Sequence, residues 1–174
     1  MYEVPESYLR EDGLLNELGV TMVAAFLDKL DPCCHGEAFI PLRRHVVSVA
    51  IELVIISQDT VLMTYRDDQY FKGWHFPGTY QTPGETWTET ADRCALRELG
   101  VRVVITRPLE PCDNPENPRF HDLSLLLLCR TRGDVRERFP VGSPEPGDIR
   151  RFFKCPENII PGHQKIWKVV EKEL

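Results

Sequence analysis

The chain has 174 residues, with 27 acidic and 21 basic side chains, a formal charge of −6 and 42% hydrophobic residues. That length suits one compact core burying roughly 70% of its unfolded surface, so a second full-size domain is not expected. The acidic balance argues against binding a nucleic-acid polymer by neutralising many phosphates, whereas a small phosphorylated ligand needs only a local positive pocket.

The N-terminal stretch has no basic region ahead of an apolar one. The longest near-apolar runs, 46–56 and 123–129, fall short of the ~20 residues that span a bilayer. No membrane partner is expected, and the chain reads as cytoplasmic. Its six cysteines, at 33, 34, 94, 112, 129 and 155, are too scattered for a disulfide scaffold and read as free thiols. The adjacent Cys33, Cys34 and His35 cannot readily converge on one ion and read as a loop.

In chain order, Leu9, Leu14, Leu15, Leu18, Val20, Val23, Phe26, Leu27 and Leu30 recur at helical spacing, interrupted by Gly13 and Gly19. They predict one or two helices in an N-terminal extension, residues 1–36, ahead of a main domain at 37–174. The β-branched run 46–56, a turn at 57–59 and a second strand at 60–65 form a hairpin. A Gly/Pro-punctuated loop follows up to Glu85. Thr86-Trp87-Thr88-Glu89 then has the capping-box pattern, and the helix it opens ends near Leu99 with Gly100 at the left-handed closing position. Strands are expected at 101–105, 121–130 and 149–153, loops at 108–118 and 132–148, and a last helix over 161–173 with Pro161 in its first turn. On that helix His163 and Trp167, four apart, are assigned to packing. His35, His45 and His75 show no partner pattern.

The chemistry-bearing stretch runs from Gly78 to Val101. Trp74-x-x-Pro77-Gly78, Gly84-Glu85, Arg93 eight residues after Glu85, and Glu98-Leu99-Gly100-Val101 together resemble the Nudix box. The resemblance implies a Nudix α/β/α sandwich with a mixed central sheet, preceded here by the helical extension. It also implies hydrolysis of a nucleoside-diphosphate derivative by water, with Mg²⁺ held by carboxylates on one helix face. Positions 94, 97 and 98 share that face by i, i+3 and i+4 spacing, about 5–6 Å apart.

Three positions depart from the pattern. Thr79 replaces a box glycine, and Cys94 and Arg97 replace two helical glutamates, so Glu98 alone remains of the helical ligands. A thiol is a poor Mg²⁺ ligand and a guanidinium is no ligand, which leaves at most a single Mg²⁺ held by Glu98, the Gly78 carbonyl and a later carboxylate. The same pattern of loss is similar to the GDP-mannose mannosyl hydrolase branch, which implies one Mg²⁺, displacement at the sugar carbon and a histidine base. No histidine occurs in the corresponding loop, 143–148. Glu145, Asp148 and His121 are the replacement candidates for ligand or base.

The expected site therefore comprises Glu85, Arg93, His121 and Glu145 as catalytic residues, with Arg93 bracing the loop through Glu85. Arg66, Arg97 and Trp74 are the substrate contacts, with Tyr70 as a second stacking candidate, and Gly78 and Glu98 are the metal ligands. The expected activity is Mg²⁺-dependent hydrolysis of a nucleoside-diphosphate derivative such as a nucleotide sugar. The alternative is a Nudix module that binds a nucleotide without turnover. The partner is a small nucleotide-derived substrate, and the N-terminal extension is a candidate homodimer interface.

Overall fold

A computed structural model describes residues 3–30, 38–138 and 142–174; Cys33, Cys34 and His35 lie outside the described residues. The chain divides into two compact units, Met1–Gly36 and Glu37–Leu174.

In the first unit a 3-10 turn, Glu6–Tyr8, precedes one helix, α1 (Glu17–Leu27). Asn16 caps α1. Its side-chain oxygen accepts the Gly19 N–H, satisfying one of the free helix donors, and its amide donates to Ser7 O and Leu9 O. Gly13, with φ of 79°, turns the chain between them.

The second unit runs α2 (Phe39–Arg43), β1 (Ser48–Ser57), β2 (Thr60–Asp67), β3 (Lys72–His75), β4 (Gly78–Tyr80), α3 (Trp87–Leu99), β5 (Arg102–Pro108), β6 (Cys112–Asn114), β7 (Asp122–Arg132), β8 (Ile149–Phe152) and α4 (Pro161–Val170). A 3-10 turn, Glu171–Glu173, follows. The expected β1–β2 hairpin forms on a two-residue turn with Gln58 and Asp59 both at positive φ. Elements β3, β4 and β6 fall in stretches expected to be loop, and α2 in a stretch with no expected element; each is too short to display a period.

Strand order is β3-β2-β1-β7-β5, with β4 on β1, β6 on β7 and β8 on β2. β1 and β7 pair in parallel while the other pairings are antiparallel, so the sheet is mixed. Side-chain alternation splits the core in two. Ile51, Leu53 and Ile55 face Ala91, Cys94, Ala95 and Leu99 of α3. Val54, with Val61, Met63 and Leu126, belongs to the cluster of Ile166, Trp167 and Val170 of α4. Helices thus cover both faces, which is the α/β/α arrangement.

One feature of the sheet positions the site. β1 stays bonded to β2 only beside the hairpin turn, at Ile56↔Val61 and Ser57↔Thr60. At its other end Ala50, Ile51 and Glu52 pair with Tyr80, Thr79 and Gly78 of β4. The sheet opens between β2 and β4, and the C-terminal half of α3 reaches into that opening.

Candidate active site

The helix is placed by its ends. Thr86 and Glu89 make both bonds of the capping box, and Gly100 closes α3 at φ of 71°. Ahead of it, the loop between β4 and α3 is wrapped on one ion pair. Arg93 donates to Glu85 through Nε (2.7 Å) and Nη2 (2.7 Å), and also to Tyr80 O (2.9 Å), Thr82 Oγ1 (3.3 Å) and Thr79 Oγ1 (3.3 Å). Glu85 accepts further bonds from Thr82 N and Thr90 Oγ1, both at 3.0 Å. The Arg93 hydrogen bonds hold the Glu85 carboxyl down at about 2. Both side chains are engaged in shaping the loop.

One turn further along α3, Arg97 and Glu98 meet the Gly78–Thr79 turn. Arg97 Nη2 donates to Gly78 O (3.1 Å) and Glu98 Oε1 (2.8 Å), and Nη1 donates to Thr79 Oγ1 (3.2 Å). Glu98 Oε2 faces the Thr64 hydroxyl at 3.2 Å. The Arg97 side chain is 52% exposed and that of Glu98 16%. A positive group therefore stands at the mouth of the site with a largely buried carboxylate behind it.

A family model described as "NUDIX domain" matches residues 45–172. The chain belongs to the Nudix family. Membership makes it an enzyme of the hydrolase class. Among solved structures, a MutT Nudix hydrolase from Burkholderia pseudomallei aligns with a TM-score of 0.56 at 18% identity, covering 72% of this chain and 98% of that one. An ADP-ribose pyrophosphatase from Streptococcus suis gives 0.52 at 17%, covering 74% and 92%. A UDP-X diphosphatase gives 0.56 at 14%, covering 93% and 74%. At these identities the likeness is one of fold. No curated protein matches the sequence. A specificity like that of GDP-mannose mannosyl hydrolase finds no support in these comparisons.

Nudix hydrolases generally use divalent metals, so the donor set of this chain decides whether it fits one. Two of the three ligands expected for a single Mg²⁺, the Gly78 carbonyl and the Glu98 carboxylate, accept from the same nitrogen of Arg97, Glu98 through Oε1. Cys94 is buried and burial pushes its thiol up, away from the thiolate form that binds metals. Among the described residues no group of three His, Cys, Asp or Glu side chains is arranged to hold an ion. The residues do not fit the expected Mg²⁺, because it would have to enter against a guanidinium already bonded to its ligands.

Other expected residues fall elsewhere. Trp74 is only 3% exposed, with its ring packed edge-on to Tyr65 and Phe152. It is a core residue and offers no stacking face to substrate, which corrects the sequence expectation. His121 pairs with Asp113 (2.6 Å) near the start of β7 and makes no hydrogen bond to the Glu98 group. Arg66 donates through Nε to Asp68 and lies over the Phe71 ring. Glu145 is exposed on a turn whose Gly147 and Asp148 bond to the backbone of Tyr65, next to Thr64.

Three residues near Glu98 went unrecognised in the sequence. His75 Nε2 lies 3.0 Å from Thr64 Oγ1 and its Nδ1 lies 2.7 Å from Phe76 O. A carbonyl only accepts, so Nδ1 carries the hydrogen, and neutral His75 competes with Glu98 for the one Thr64 proton. Burial lowers the His75 pKa and Glu98 opposes that. Glu52 of β1 is buried, with Oε2 lacking a hydrogen-bond partner, and its carboxyl packs on Gly78 so closely that a Cβ there would lie 2.0 Å from Oε2. Burial first, then Glu98 and Asp122, raises the Glu52 pKa well above the usual carboxylate range. The available signal was a lone acid within an otherwise apolar strand.

Proposed function

We propose that the chain hydrolyses a nucleoside-diphosphate derivative, with a nucleotide sugar as the narrower candidate. The carrying observation is the half-exposed Arg97 guanidinium, bonded to the Gly78–Thr79 turn and backed by Glu98. A planar, permanently charged fork of this kind suits phosphate oxygens. Support for the substrate class comes from two fold relatives, an ADP-ribose pyrophosphatase and a UDP-X diphosphatase.

Arg97 uses three of its five N–H groups on the turn and on Glu98, and the remaining two meet the phosphate. Glu98 retains lone-pair capacity and accepts the proton of the attacking water. The Glu85–Arg93 pair keeps the loop in the shape that presents Gly78 and Thr79. The bond cleaved, at phosphorus or at the sugar carbon, is read from the products.

The test is incubation of the purified chain with UDP-sugars, GDP-sugars, ADP-ribose and nucleoside diphosphates, in Mg²⁺ and in EDTA. Product analysis separates sugar plus nucleoside diphosphate from sugar phosphate plus nucleoside monophosphate. Turnover of at least one derivative is expected; absence of turnover across the panel contradicts the proposal.

A further inference from the structure

Two of the three departures from the box pattern, Thr79 and Arg97, are hydrogen-bonded to each other. Thr79 Oγ1 accepts from Arg93 Nη1 at 3.3 Å and from Arg97 Nη1 at 3.2 Å, two contacts that a glycine at 79 could not make. Cys94, fully buried against the sheet, fills the helix position between the two arginines with a small neutral side chain. Arg97, four residues after Arg93 on the same helix face, then lays its Nη2 between Gly78 O and Glu98 Oε1.

We infer that the Arg97 guanidinium is a built-in cation that takes the place of a divalent metal ion, so that this site binds a pyrophosphate group without metal. Its ligand class rests on the hydrolase proposal above; the substitution of arginine for an ion rests on the geometry alone. A bound divalent cation is a compact charge gathered by several oxygen donors. Here two of the oxygens that would gather it, Gly78 O and Glu98 Oε1, already accept hydrogen bonds from a fixed positive charge. Thr64 donates to the second Glu98 oxygen, which Arg97 does not engage. The guanidinium is half exposed, so its unused N–H groups can approach an anion from solvent while the engaged ones anchor it.

Two measurements on the full chain test this. Mn²⁺ alone is titrated with protein and the free-ion electron paramagnetic resonance signal is followed. The wild type leaves the signal unchanged, and Arg97→Glu, which restores a carboxylate beside Glu98, depletes it. Inorganic pyrophosphate binding is then measured by calorimetry in EDTA and in Mg²⁺. Wild-type protein binds in EDTA and Mg²⁺ does not strengthen the binding, and Arg97→Gln weakens it by at least about tenfold, the scale of losing one or two charge-assisted hydrogen bonds.

Stoichiometric Mn²⁺ uptake by the wild type overturns the inference, as does pyrophosphate binding that requires Mg²⁺. Pyrophosphate binding in neither buffer also overturns it, and the hydrolysis panel shows separately whether the functional proposal falls with it. Circular dichroism melts of both variants confirm that the surface substitutions leave the fold intact.

Discussion

Replacing Glu85 by glutamine keeps the loop side chain's shape and removes its charge. The Arg93 hydrogen bonds hold the Glu85 carboxyl at about 2, against an ordinary value of 4.5. The difference corresponds to about 3.4 kcal/mol at 1.36 kcal/mol per unit. The two side chains are 38% and 22% exposed, so solvent screening reduces this to about 1–2.5 kcal/mol. For a chain of this length that is about 3–8 °C in melting temperature. Because the folded-state value is depressed, the stabilisation is complete above 4.5 and is lost as pH falls through about 2. Thermal melts of wild type and Glu85→Gln at neutral pH should therefore differ by that amount, and the difference should close in acid. Equal stability at neutral pH, or a difference that persists undiminished near pH 2, would refute the brace.

Gly78→Ala forces a Cβ to within 2.0 Å of Glu52 Oε2 and 2.6 Å of its Cδ, which predicts a loss of about 1–3 kcal/mol in urea unfolding. Adding Glu52→Ala should restore part of it, and failure of the double variant to recover would contradict that contact. Glu52→Gln should stabilise the protein increasingly as pH rises above the ordinary carboxylate range. The buried acid has a raised pKa and loses its stabilising contribution with rising pH, while the amide cannot ionise; a pH-independent difference counts against this. Trp74→Ala should cost about 3–5 kcal/mol by chemical denaturation, since the ring is core. A loss below about 1 kcal/mol would show the ring to be dispensable to packing.

The long, periodic elements were legible in the sequence because burial imposes a rhythm on them. The β1–β2 hairpin, the capped α3, buried β7 and α4 starting at Pro161 all follow from alternation, helical spacing or capping chemistry. Strands β3, β4 and β6 were not legible, because three or four residues paired at the margin of a larger sheet need no pattern of their own. Within the site, the Glu85–Arg93 spacing pointed to their contact, since both ends lie within one loop and helix. Thr64 reaches Glu98, and His75 reaches Thr64, only through the pairing of β2 with β3 and the opening beside β4, a long-range fact that local spacing does not carry. Trp74 shows the opposite error. An aromatic beside a Pro-Gly turn looked available to substrate, yet the pairing of β3 with β2 turns its ring into the core.

Glu98 is the residue on which turnover depends most directly. Steady-state turnover of the best substrate from the panel, compared between wild type and Glu98→Gln, measures whether this carboxylate accepts the proton of the attacking water. The expected result is a fall in kcat of at least about a hundredfold with the fold preserved. Unchanged turnover in the variant would contradict it.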